Sequence, residues 1–325
     1  MIAITGSTGH LGQALLRHYS SQNEKIRVIL RPTSNHALVQ GLCAEIAEAV
    51  LDDQEALTQA FKGCDTVIHS AALIDIRRGK KEGLWQTNVE GTRHVIQACR
   101  DAKVKRLVYI SSIEALNMRA NIRPIQEDVG FAKGNAVMDY GESKADATRL
   151  ALEAASQENL DVVVVCPTGI VGPWDARGGL FTTLIQKYLA GQIPAGIKGG
   201  FDFVDVRDVA QAVAQAREKG KSGEVYLAAG HFHSMQEIFS MLSSIAHLKA
   251  PGPTVPLWLA RASALVTEAW SLMTGKPALF TKGSIDILQE KAHVSHEKAQ
   301  KAWGYSPRPL RETLEDTVKW MKGDL

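Results

Sequence analysis

The chain has 325 residues, of which 45% are hydrophobic and 22% charged, and its formal net charge is +2. These values suit about two folded domains with sizeable cores and exclude global disorder. The charge is too small, and Lys and Arg too scattered, for a nucleic-acid-binding surface.

Short β-branched runs alternate with helical patterns through the first half. Strands are predicted at Ile2–Thr5, Ile26–Leu30, Thr66–His69, Arg106–Ile110 and Asp161–Cys166, with a weaker one at Ala44–Ala49. Helices are predicted at Leu11–Ser21, Gln54–Phe61, Leu84–Ala102 and Gly141–Gln157. Strand and helix repeated in this order predict an α/β fold, a doubly wound parallel sheet of the Rossmann kind with helices on both faces. The continuous apolar run Val162–Val165 suits a strand buried on both sides. After Pro167, Gly and Pro become frequent, a strand returns at Glu224–Ala228, and helices dominate from Met235 onward. The expected organisation is a first domain over 1–168, with return segments near 201–229, and a smaller, mostly helical lobe over 169–325.

A strand beginning at Ile2 leaves no room for a signal peptide. The stretch Pro256–Met273 is interrupted by Arg261 and Glu268 and suits an amphipathic helix better than a membrane span. Cys43, Cys64, Cys99 and Cys166 are far apart and form no CxxC pair, as expected of free thiols in a reducing, cytoplasmic setting. Neither they nor the ten histidines show metal-ligand spacing, so no metal is expected.

Between the first strand and helix, Gly6, Ser7, Thr8, Gly9, His10, Leu11 and Gly12 form a glycine-spaced loop. Glycine permits a tight turn and close approach of a pyrophosphate to the backbone, and the helix start offers free N–H groups. A dinucleotide is therefore expected here. At the end of the second strand an acid would select NAD and an arginine NADP. Arg31 stands there, so NADP is preferred and NAD remains possible; the alternative is a solvated surface arginine.

Tyr140 and Lys144 lie four residues apart, on one helical face. A nearby ammonium can lower a phenol's pKa, and such a tyrosine can exchange a proton with a carbonyl or alcohol. An ordinary amphipathic helix would show the same spacing. Upstream, Val108-Tyr-Ile-Ser-Ser112 places hydroxyls at a strand end, where ligands bind in such folds, although a helix cap would use them equally well. His69 and His10 read as a packed strand-end residue and a solvent-facing one. Trp258 and Trp270 suit either a pocket wall or a core.

Taken together, TGSTGHLG, Val67-Ile-His-Ser-Ala-Ala72, Thr87-Asn-Val-Glu-Gly-Thr92, SSIEAL, YGESK and Cys166-Pro-Thr-Gly-Ile170 resemble the extended short-chain dehydrogenase/reductase superfamily. VGPWD, GGFDFVDVRDVAQAV and GYSPRPLRETLEDTVKWM look most like its dihydroflavonol-4-reductase-like and 3β-hydroxysteroid-dehydrogenase-like members. The resemblance implies Ser112, Tyr140, Lys144 and Asn88 as catalytic residues. It also implies cofactor contacts from Leu51, Asp52, Ser70, Ala71, Ala72, Pro167, Thr168, Gly169 and Ile170, besides Tyr140 and Lys144. One departure is Ala49-Val50-Leu51 where the family often carries GDL after its third strand.

The expected function is hydride transfer between NADP and the carbonyl or alcohol of a small, largely apolar substrate. The runner-up is a nucleotide-sugar epimerase or dehydratase holding NAD(P), and the third reading is a non-catalytic dinucleotide-binding partner. A homodimer is a family expectation only. The stretch from Pro173 to Gly200 offers a second pyrophosphate only Arg177, Lys187 and Lys198, with Arg207 and Arg261 beyond it.

Overall fold

The computed structural model describes residues 1–75, 81–118, 124–134, 138–157, 160–256, 258–259 and 293–325. Strands β1 (Ile2–Thr5), β2 (Ile26–Leu30), β3 (Glu45–Glu48), β4 (Thr66–His69), β5 (Arg106–Ile110) and β6 (Asp161–Pro167) alternate with helices. These are α1 (His10–Ser21), α2 (Gln54–Phe61), α3 (Lys81–Trp85), α4 (Gly91–Asp101) and α5 (Asp139–Gln157). A π-helical turn, Gln86–Glu90, joins α3 to α4. The first-half elements lie where their hydrophobic periods place them, with ends shifted by one to three residues.

The later elements are β7 (Gly169–Val171), α6 (Leu180–Leu189), β8 (Ala195–Ile197), β9 (Gly200–Asp205), α7 (Val206–Lys219) and β10 (Val225–Ala228). They continue with β11 (His231–Ser234), α8 (Met235–Ala246), β12 (Gly252–Val255), α9 (Glu297–Trp303) and α10 (Leu310–Lys322). Trp270 and most of Pro256–Met273 lie outside the described residues. Among those described, no helix is long and apolar enough to cross a membrane.

Seven strands form one sheet in the order β10-β6-β5-β4-β1-β2-β3. Every neighbouring pair is parallel. The chain leaves β1 toward β2 on one side and reaches β4 on the other, which opens a crevice at the carboxyl ends of β1 and β4. Residues of β6 divide by parity. Val162 and Val164 join the core with Leu57 and Phe61 of α2 and Val95 of α4. Val163 and Val165 join the opposite core with Leu15 and Leu16 of α1 and Val209 of α7. Each such side chain, fully buried, contributes about 1.5–3 kcal/mol.

Five short strands add two small sheets to the helices expected in the second half: β11-β9-β7 and β12-β8. At three to six residues, with glycine in four of the five, they carry too little alternation to be read from sequence. A third core joins α6, α8 and α10 through Leu184, Ile185, Ile238, Leu242, Leu314 and Val318. Buried acids tie α10 and its approach to α7. Asp205 caps α7 by accepting from the Arg207 N–H at 2.7 Å, and Asp208 accepts from the backbone and guanidinium of Arg308 at 2.8 Å.

Candidate active site

Gly6 ends β1 with φ +73°, a left-handed conformation that favours glycine. A Cβ there would lie 2.6 Å from the Ala71 nitrogen, and one on Gly12 only 2.3 Å from the Gly6 oxygen. The loop thus closes on itself, with the Gly9 N–H donating to the Gly6 oxygen at 2.9 Å, and α1 starts at once. No side chain caps α1 and no acid stands in its first turn, so its leading N–H groups remain open to an anion. The Ser7 hydroxyl is buried and has no hydrogen-bond partner among the described residues. These features fit the diphosphate of a dinucleotide.

The other cofactor candidates follow the carboxyl ends of successive strands. Ser70, Ala71 and Ala72 follow β4, and the Ala71 N–H donates to Thr5 Oγ1 at 3.3 Å. Pro167 closes β6, Gly169 and Ile170 open β7, and the Thr168 N–H donates to the Ala228 oxygen at 3.3 Å. Arg31, after β2, is exposed and forms no ion pair among the described residues. After β3, the Leu51 oxygen accepts from His94 Nδ1 at 2.8 Å, and Asp52 accepts from Gln86 Nε2 at 3.1 Å.

The reactive side chains come from β5 and α5. The two serines after β5 part company. Ser111 bonds Thr148 of α5 at 2.6 Å, whereas the Ser112 hydroxyl caps a short 3₁₀ turn by accepting from the Glu114 N–H at 3.2 Å. Burial pushes Tyr140 up to about 12, and the nearby Glu114 carboxylate works in the same direction while Ser112 opposes it. Lys144 is fully buried, and burial brings it down to about 7. Its Nζ donates to Tyr109 Oη at 2.7 Å and to the Ile110 oxygen at 2.7 Å. The ammonium that the sequence sets beside Tyr140 is thus held by Tyr109.

Asn88, a catalytic candidate by resemblance, is buried between the loop after β4 and α5. Its side chain accepts from the Leu73 N–H at 2.8 Å and donates to the Leu73 oxygen and Ser143 Oγ, each at 3.0 Å. It braces the loop after β4 against α5. His69 is buried and neutral, driven down to about 3 by burial, and bonds Thr5 Oγ1 and Thr92 Oγ1. His10, read as solvent-facing, instead bonds the Pro173 oxygen through Nε2 at 3.0 Å. Trp258 is 71% exposed, which removes it from the core.

Sequence reasoning missed Tyr109, Glu114 and the placement of Arg177. A tyrosine inside a strand read as buried was the available signal for the first, because its hydroxyl demands a partner. Arg177 Nη2 donates to Thr8 Oγ1, inside the glycine loop, at 2.6 Å.

A parallel sheet of this order, with a glycine cradle at its first turn, defines a Rossmann-type dinucleotide enzyme of the extended short-chain dehydrogenase/reductase kind. Residues 2–229 match the NAD dependent epimerase/dehydratase family, and the chain belongs to that family. A Synechocystis protein provisionally named dihydroflavonol 4-reductase is 30% identical, over 98% of this chain and 94% of its own. Sterol demethylase protein B of Methylococcus capsulatus is also 30% identical, over 98% of this chain and 97% of its own. The crystal structure of gox2253 is similar at a TM-score of 0.86 and 31% identity, covering 99% and 98% of the two chains.

Proposed function

We propose that this protein is an NADP-dependent reductase or dehydrogenase acting on the carbonyl or alcohol of a small, largely apolar organic molecule. The observation that carries the reading is the buried Lys144, one helical turn from Tyr140 on α5 and hydrogen-bonded to the Ile110 oxygen two residues before Ser112, at the cradle edge of the sheet. A bound nicotinamide would supply the hydride. Gly6 to Gly12, Ser70 to Ala72 and Pro167 to Ile170 would hold the dinucleotide, with Arg31 reading its 2′-phosphate. Tyr140 keeps its proton at neutral pH, so it is set to protonate a substrate oxygen during reduction. The Ser112 hydroxyl would donate a hydrogen bond to that same oxygen. Lys144 would orient the nicotinamide ribose. Residues 1–168 with the return near 201–229 would form the cofactor domain, and 169–325 the substrate lobe; α7 and β10 support the return by packing on and joining the main sheet.

The apolar substrate rests on where the cations are. Arg207, an available anion ligand by sequence, is engaged by Asp205 and Asp316, each at 2.7 Å. Arg177 is turned to the glycine loop. Arg261 lies outside the described residues. Leu73 and Ile74, 41% and 67% exposed, follow directly on the cofactor-lining turn. The similarity to a sterol demethylase component points the same way. Calorimetry with UDP, dTDP and GDP at saturating NADP tests it. No micromolar binding is expected, and micromolar binding outside the cofactor site would replace this reading with the epimerase.

A further inference from the structure

We infer that Arg177 is a ligand of the dinucleotide's diphosphate, delivered to the glycine cradle by a strap formed by residues 172–179. The inference rests on the cradle binding a dinucleotide and names a contact that the glycine loop alone does not provide.

The strap is built in place. The Asp175 side chain, buried, accepts from the Gly179 N–H at 2.6 Å, and its backbone oxygen accepts from Gly178 at 3.1 Å. Trp174 adopts a left-handed φ of +73°, rare outside glycine, and its ring receives the Arg17 guanidinium of α1 at 4.8 Å. His10 reaches from the first turn of α1 to the Pro173 oxygen, and burial lowers its pKa against the opposing pull of Asp175. The two contacts lie seven residues, or two turns, apart along α1. The strap therefore lies along the start of that helix, and its far end carries Arg177 to Thr8.

The electrostatics of that placement ask for an anion. The uncapped start of α1 is a centre of partial positive charge. Arg177 adds a full positive charge within two residues of it and pairs with no acid among the described residues. Arg177 is exposed, and among the described residues one of its five N–H donors is used, on Thr8, which leaves the rest of the fork available to a ligand. The Ser7 hydroxyl, next to Thr8 in the loop, is buried and has no partner among the described residues. The positive helix start, the Arg177 guanidinium on Thr8 and the buried Ser7 hydroxyl thus belong to one loop, where a diphosphate would find donors from each.

The test is calorimetry of NADPH and NADH on the wild-type protein, Arg177→Met and Arg177→Lys. Adenosine 2′-monophosphate, which lacks the diphosphate, is measured by competition. A charge-assisted hydrogen bond is worth about a tenfold to hundredfold change in affinity. Arg177→Met is expected to weaken NADPH and NADH by the same factor within that range. It should leave adenosine 2′-monophosphate unchanged, and Arg177→Lys should recover part of the loss. Unchanged dinucleotide binding in Arg177→Met overturns the assignment, as does a loss confined to NADPH, which would make Arg177 a reader of the 2′-phosphate. An equal loss for adenosine 2′-monophosphate also overturns it, because the strap would then act only through folding. Failure of the wild type to bind either dinucleotide would instead refute the cofactor site itself.

Discussion

Lys144 stores a measurable pH dependence of stability. Burial lowers it from an ordinary 10.5 to about 7, so between these values the unfolded chain carries a proton that the folded chain has released. Stability then rises with pH across that window, because the state binding more protons is the unfolded one. The penalty is complete below about pH 7 and disappears above 10.5. Taking about 1.4 kcal/mol per pH unit at full difference, and half-release at pH 7, the gain from pH 7 to pH 9 is about 2 kcal/mol. Lys144→Met removes the titrating group. It also strips a donor from Tyr109 and from the Ile110 oxygen, so it is destabilising at every pH, but its stability should lack that rise. Urea denaturation of the cofactor-free protein at pH 7, 8 and 9, for wild type and variant, gives the two slopes. Cys166, pushed up to about 12 by burial, adds its opposite contribution only near and above the ordinary thiol range, at the upper edge of the interval measured. Parallel slopes would show that Lys144 does not change protonation in this interval, and the account of its burial would fall.

Tyr140→Phe removes only a hydroxyl and should leave NADPH affinity within about twofold. Turnover on a confirmed carbonyl substrate should fall by roughly 10²–10⁴; retention of most of the rate would place the proton donor elsewhere. Arg31→Asp should cost NADPH about tenfold to a hundredfold in affinity while NADH holds or gains, as read by titration of both. Equal affinities for the two cofactors in the wild-type protein would remove Arg31 from recognition.

Much of this protein was determined by sequence alone, and the reason is local. The short apolar runs Ile2–Thr5 and Val162–Val165, bounded by turn residues, suit strands with apolar material on both faces, and both are buried at every residue. The glycines at 6, 9 and 12 are dictated by a turn in which a Cβ would meet backbone at 2.6 or 2.3 Å. Such constraints act within a few residues and therefore leave a pattern in the chain. Both serines follow the same strand, and sequence pattern does not tell that Ser111 turns to Thr148 while Ser112 caps the next turn. What only the tertiary structure decided lies between residues far apart. Lys144 meets Tyr109 across 35 positions, and Arg177 meets Thr8 across 169. Asn88 spends its amide on a loop 15 residues earlier, and Arg207, free in the sequence, is claimed by Asp316 from the far end of the chain. A side chain's chemistry is written in its residue type, but its partner is chosen by packing. Burial then decides which proton it keeps, and burial at these positions is a property of the assembled sheet and helices.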